Sequence, residues 1–256
     1  MIIGKWIKQS NIPREQLVLA TKVHGKMGPG PNDEGLSRAH IMRAVNASLQ
    51  RMGIEYIDLY QTHSYDDKTP IEETLSALDD LVHQGKVRYI GCSNYPAWRL
   101  TEAIWTSRLN FKVRFDSLQP HYNLVHRSEF ERELSEVCRT YDLGVIPYSP
   151  LAAGFLTNKY QRAQVEPESA RLGGIKRRYF NEKGWEIHHA VEKLASQKGK
   201  SISQVALAWL LSNPLITSPI IGPRSLEQLE DNLGAVGFRL SAEDKKSLDD
   251  ASAWQD

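Results

Sequence analysis

The chain has 256 residues, 41% hydrophobic and 25% charged, and its 32 basic and 31 acidic side chains leave a formal net charge of +1. That length and apolar share suit one α/β domain that buries a core. The balanced charge, with no basic stripe, excludes a nucleic-acid face, and no apolar run approaches the roughly 20 residues of a membrane helix.

The N-terminus, MIIGKWIKQS, has no signal-peptide layout. Cys92 and Cys138 lack the close spacing of a disulfide framework or a metal site, so a reduced, cytoplasmic setting is expected. In chain order, residues 17–20 read as the first buried strand. A helix follows on the stripe Ile41, Val45, Leu49 and Met52, beginning after Ser37 and stopping before Gly53. Residues 56–60 form the next strand. The following helix is expected to start with Thr69 as cap, Pro70 in the first turn and Glu72 completing a capping box. Its inner face is Leu75, Leu78 and Val82, and Gly85 ends it.

A strand at 87–90 comes next, with weaker ones at 115–118, 145–148 and 216–221. Further helices are expected near 96–107, 128–141, 184–198, 202–212, 226–234 and 241–252. The connection from about 151 to 200 is unusually long, and long loops in compact domains are commonly functional. Lys176-Arg177-Arg178 within it reads as a solvated loop, and the adjacent pair His188-His189 points two ways on a helix, so no metal site is expected. Trp98, Trp185 and Trp209 fit either a core or a substrate rim.

Strand-helix repetition with a period of about 30 residues demands a parallel sheet, either open and doubly wound or closed as a barrel. No G-x-G-x-x-G follows any strand, so the doubly wound dinucleotide fingerprint is missing. Polar residues collect at strand C-terminal ends: Lys22, His63, Ser93-Asn94, Gln119, Tyr148-Ser149 and Gly222-Pro223-Arg224. Barrel enzymes gather their sites there.

At those strand ends the sequence resembles the aldo-keto reductase family. The matching segments are Leu19-Ala20-Thr21-Lys22, Asp58-Leu59-Tyr60-Gln61-Thr62-His63, Gly91-Cys92-Ser93-Asn94, Leu118-Gln119, Tyr148-Ser149-Pro150-Leu151 and Ile221-Gly222-Pro223-Arg224. GPRSLEQLEDN near the C-terminus is closest to the bacterial and channel-subunit-like branches. The resemblance implies an α/β fold, a (β/α)8 TIM barrel, with residues 1–256 as a single domain lacking its N-terminal part. About six of the eight strands are expected. Ile2 to Gln9 matches the family's second helix, and two strand-helix units of about 30 residues each are expected ahead of Leu17 in the family. Unpaired strand edges would then favour self-association as a homo-oligomer.

The resemblance further implies NADPH as cofactor and a small-molecule aldehyde or ketone as substrate. Of the family's Asp, Tyr, Lys and His, Lys22 and His63 match; the Asp and the proton-donating Tyr belong to the units ahead of Leu17. Lys lowers the pKa of the donor phenol and His hydrogen-bonds the substrate oxygen. Ser93, Asn94 and Gln119 would hold the nicotinamide carboxamide, with Tyr148 stacked on its ring. Ser149, Leu151 and Gly154 begin the loop over the pyrophosphate. Gly222 and Arg224 open a helix capped by Ser225 and Gln228, where Arg224 suits a 2′-phosphate and thus NADPH over NADH, and Gln228 and Asn232 reach the adenine-ribose end. The residues alone leave blander roles open: a rim lysine, a core histidine, Ser-Asn as a helix cap and Tyr148 as packing. A catalytically weak NADPH-binding regulatory protein of the same fold is the alternative expectation.

Overall fold

The computed structural model describes residues 2–160, 162 and 172–254. The architecture is α/β, with parallel strands alternating with helices, consistent with a (β/α)8 barrel. The chain forms two compact units: residues 1–119 with 140–143, and residues 120–139 with 144–256.

The first unit carries four parallel strands, β1 (Ala20–Val23), β2 (Ile57–Thr62), β3 (Val87–Ser93) and β4 (Phe115–Gln119), paired in chain order. Its helices are α1 (Ile2–Gln9), α2 (Arg38–Met52), α3 (Ile71–His83) and α4 (Ala97–Leu109). α2 begins and ends as its sequence dictates. Ser37 accepts a hydrogen bond from the His40 N–H, and Gly53 takes φ 67°, a left-handed turn that a side chain resists.

Two expectations fail here. Residues 17 and 18 do not join the ladder, Arg14 donating to the Leu17 carbonyl at 2.7 Å. At Leu19 the N–H is taken by Asp58 at 2.8 Å and only the carbonyl pairs with β2, accepting from the Asp58 and Leu59 N–H groups at 3.1 and 3.2 Å. Arg14 also bonds Asp58 at 2.5 Å, so side chains hold this segment and leave Val18 exposed. Thr69 does not cap α3 either. Its hydroxyl donates to Asp66 at 2.8 Å, α3 starts behind Pro70 without a side-chain cap, and Leu81 rather than Val82 is fully buried.

Register divides the sheet into two faces. On β1 to β3 the row Val23, Thr62, Cys92 and the row Thr21, Tyr60, Ile90 share one face, all but Thr21 buried. Against β4 they meet the buried Leu118 and Phe115 across a one-residue register shift between Ile90 and Gly91. The row between them, Lys22, Gln61, Gly91 and Ser117, faces the other way. Gln61 Oε1 and Ser117 Oγ are buried there without hydrogen-bond partners.

The second unit holds β5 (Gly144–Val145), α5 (Ser135–Tyr141, shared with the first unit), α6 (Leu172–Tyr179), α7 (Glu182–Lys198), α8 (Ile202–Leu211), α9 (Leu226–Leu233) and α10 (Ala242–Ala251). The strand expected at 145–148 shortens to two residues, and that at 216–221 reduces to parallel bridges Val145–Ile216 and Tyr148–Ile220. Pro147 and Pro219 lack the N–H a ladder needs. The helix expected at 128–141 opens with a π-helical turn, Phe130–Leu134. α6 falls within the stretch expected to be a loop; Lys176, Arg177 and Arg178 are solvated on it, while residues 163–171 of that stretch lie outside the described residues. Phe155 centres an aromatic cluster with Tyr179, Phe180, Trp185 and His188. Trp209 is core, donating to Asp249 at 2.7 Å, and Trp98 is exposed. Arg127 ties down the C-terminal segment through Glu131, the Asp249 carbonyl and the Ser252 hydroxyl.

The polar row depends on the glycine at its middle. A Cβ at Gly91 would stand 2.4 Å from Ser117 Oγ and 3.1 Å from the Ser117 carbonyl oxygen. Gly91→Ala is therefore expected to cost about 1 to 3 kcal/mol, read as a lower urea midpoint at unchanged slope. Adding Ser117→Ala should recover part of it, and a Gly91→Ala protein as stable as the parent would refute the crowding.

Candidate active site

In the first unit, the predicted residues stand together at the C-terminal ends of the strands. Lys22 lies on β1 opposite Gln61, half-buried, and loss of hydration holds its pKa below the usual lysine value. His63 follows β2 directly, its N–H donating to the Val23 carbonyl at 2.8 Å. Partial burial, then the charges of Lys22 and His24, lower its pKa. At neutral pH its ring is therefore neutral and carries one N–H to donate.

Ser93 and Asn94 end β3. Ser93 Oγ donates to the Gln119 carbonyl at 2.7 Å, and Asn94 Nδ2 donates to the His63 carbonyl at 2.8 Å and to Ser93 Oγ at 3.1 Å. Asn94 sits at φ 56°, in the left-handed region. The helix-cap reading of Ser93-Asn94 is overturned, since α4 begins behind Pro96 with no side-chain cap. The arrangement instead ties β2, β3 and β4 together at one end and orients amide and hydroxyl groups there.

In the second unit, Tyr148, Ser149, Leu151 and Gly154 occupy a loop of unusual backbone. Ser149, Ala152, Ala153 and Gly154 take φ of 54°, 50°, 56° and 99°. Three non-glycine residues in this region store strain of about 1 to 3 kcal/mol each, the kind that clusters at ligand-binding loops. Leu151 accepts from the Gly154 N–H at 2.8 Å, and a Cβ on Gly154 would meet nothing closer than Tyr160 at 3.9 Å. That glycine answers to its φ and not to crowding.

Gly222 and Arg224 are exposed ahead of α9. Ser225 caps α9 by accepting from the Gln228 N–H at 3.3 Å. The expected reciprocal capping box is shifted by one residue: Gln228 Oε1 accepts from the Arg224 N–H at 2.9 Å, closing the turn ahead of the cap. Asn232 is buried one turn beyond Gln228 on the same helix face.

Two residues of this second set escaped the sequence reading. Asn123 is fully buried, donates to the Ser149 carbonyl at 2.9 Å and accepts from the Val125 N–H at 3.0 Å, bracing the strained loop. His121 stacks on Tyr148 with ring centroids 5.1 Å apart and hydrogen-bonds Tyr179 at 3.1 Å. The only available signal was two polar side chains flanking the core residue Tyr122, a pattern of no known specificity.

Residues 1–253 match the sequence profile of the Aldo/keto reductase family. An aldo-keto reductase of Fusarium vanettenii is 36% identical over 98% of this chain and 74% of its own length. An uncharacterized oxidoreductase of Bacillus subtilis is 39% identical over 97% of this chain and 76% of its own. The L-glyceraldehyde 3-phosphate reductase of Escherichia coli is 35% identical over 87% and 66% respectively.

His121 makes a pH prediction. Burial, then the charge of His126, pulls its pKa down to about 4, with Arg178 adding to this and Glu129 opposing it. The unfolded chain takes up this proton near 6.5, so its stabilising contribution is complete above that pH and lost as pH falls toward 4. The loss should reach about 2 to 3 kcal/mol after allowance for solvent screening. Melting curves from pH 7 to 4.5, in a chelator, should show a shallower pH dependence for His121→Gln; identical slopes would exclude His121 as the source.

Proposed function

The chain belongs to the aldo/keto reductase family, and we propose that it uses NADPH to reduce an aldehyde or ketone to an alcohol. The observation that carries the reading is the set of constrained polar groups at the strand ends of the first unit, with Asn94 locked onto His63. A bound nicotinamide would supply the hydride.

The residues fit such a group. Asn94 and Ser93 are amide and hydroxyl side chains of the kind that match a carboxamide, their protons here engaged by His63, Ser93 and Gln119. The strained Ser149–Gly154 loop has a backbone geometry that suits close approach to a pyrophosphate. The capped start of α9 offers helix N–H groups, and the exposed Arg224 a planar fork, to a phosphate. Glu227 also sits at that N-terminus, so its carboxylate opposes an anion there.

Lys22 and His63 would act on the carbonyl. The Lys22 ammonium, poorly hydrated on its row, stabilises negative charge more strongly than a solvated lysine does. The neutral His63 ring donates its N–H toward the carbonyl oxygen and stabilises the charge that grows on it. The tyrosine and aspartate that the resemblance implies have no counterpart among residues 1–256, so these roles are derived without them.

Two relatives name a substrate type: L-glyceraldehyde 3-phosphate for the Escherichia coli reductase, and versiconal hemiacetal acetate for a reductase of Aspergillus parasiticus that is 35% identical over 97% of this chain and 77% of its own length. For this chain they support a small oxygen-rich carbonyl compound. Two buried cysteines that form no disulfide accord with a cytoplasmic reading. Among the described residues no helix is long and apolar enough to cross a membrane.

Fluorescence titration tests the cofactor. Arg224→Ala should weaken NADPH binding about 10- to 100-fold, the equivalent of one or two charge-assisted hydrogen bonds, and leave NADH nearly unchanged. Equal weakening of both would remove Arg224 from the 2′-phosphate. For the chemistry, Lys22→Met is expected to lower kcat toward a simple aromatic aldehyde about 100-fold or more at unchanged NADPH affinity. Saturable NADPH binding with no reduction by the parent chain would instead make it an NADPH-binding regulatory protein.

A further inference from the structure

One cluster in the second unit joins three metal-ligating side chains. His121, His126 and Glu129 each offer a donor atom, and the three atoms lie within 4.8 Å of one another. We infer that His121, His126 and Glu129 form a binding site for one divalent transition-metal ion of the zinc and cobalt class.

The local fold explains the convergence. Asn123 and His126 close a tight turn by exchanging backbone hydrogen bonds of 3.0 and 3.3 Å. That turn folds His126 back over His121, their rings stacking with centroids 4.0 Å apart. Glu129 lies one helical turn beyond His126, and its Oε2 meets His126 Nε2 at 2.7 Å.

The ring of His121 is not free to wander. Tyr179 holds its Nε2 at 3.1 Å, Tyr148 stacks behind it at 5.1 Å, and the residue is buried. A ligand imidazole oriented by an oxygen on its other side is the usual support around a bound metal. His126 and Glu129 are more exposed, so an ion has a path in from solvent.

Donor chemistry sets the class of ion. Two imidazoles and one carboxylate suit zinc and its neighbours, with a fourth position left for water; calcium and magnesium prefer oxygen donors throughout. The spacing, His-x4-His-x2-Glu, matches no standard metal motif, and the sequence reading weighed only the His188-His189 pair. In the fold those two diverge, His188 buried and His189 exposed. The inference does not depend on the reductase reading, and its test needs no turnover.

The test is metal binding by the full chain, followed by calorimetry with Zn²⁺ and by visible absorption with Co²⁺. One ion per chain is expected, with the intense visible bands of low-coordinate Co²⁺. His126→Ala and Glu129→Gln should each weaken binding at least tenfold, since even supporting groups around a metal are worth about 10- to 100-fold. His189→Ala, on an exposed helix face, should leave affinity unchanged. Circular dichroism of each variant confirms that it is folded. Absence of saturable binding, or binding that survives both His126→Ala and Glu129→Gln in folded protein, or binding lost equally in His189→Ala, would overturn the site.

Discussion

The chemistry assembled by the first unit rests on register. In a parallel ladder each paired row faces one side of the sheet, so a single residue of slippage would exchange the two faces. Here the pairing of β1, β2 and β3 puts Tyr60 and Ile90 on one face and Lys22, Gln61 and Gly91 on the other. A one-residue shift against β4, which skips Asp116, sets Phe115 opposite Ile90 and Ser117 opposite Gly91. A shift by one would bury Lys22 in that core, where an unpaired charge is far too costly. The apolar rows thus secure the polar one. Gly91 is the element that lets the strands close up, because Ser117 already occupies the space its side chain would need.

A second constraint is backbone strain, and it is concentrated where the candidate site lies. Asn94 ends β3 in the left-handed region, and the loop from Ser149 to Gly154 holds four residues there. Such conformations persist only where surrounding bonds over-determine them. Asn94 is fixed by donation to the His63 carbonyl, and Ser149 by donation from Asn123. Those two residues are thus each held by a hydrogen bond to a neighbouring segment. Four of the positions where local preference is violated, Asn94, Ser149, Ala152 and Ala153, fall at or within segments the functional reading uses, whereas His24, Phe111 and Asp142 do not.

Elements governed by short-range rules were legible. The limits of α2 follow from Ser37, Gly53 and the stripe between them, and the helices beginning at Ile202, Leu226 and Ala242 each start behind a capping serine that is visible in the sequence. Two of the misreadings involve a competing partner. Thr69 resembles a cap until Asp66 takes its hydroxyl, and residues 17–19 resemble a strand until Arg14 takes the Leu17 carbonyl and Asp58 the Leu19 N–H. The strand expected at 216–221 ignored the donors that Pro147 and Pro219 lack. α6, with two glycines in its first turn, has little local signal for a helix.

The amino-acid sequence by itself determined which residue types end each strand, and through their order it determined the family. Lys22, His63, Ser93, Asn94 and Gln119 could be singled out because strand ends follow from periodicity and turns, which are local. What each side chain touches was decided only by the tertiary structure: Asn94 on His63, thirty-one positions apart, Ser93 on Gln119, and His121 between Tyr148, His126 and Tyr179. The physical reason is range. Caps and periodicities act within a few residues, whereas the hydration and partners that set the charge of Lys22 or His121 come from segments that meet only when the chain is folded.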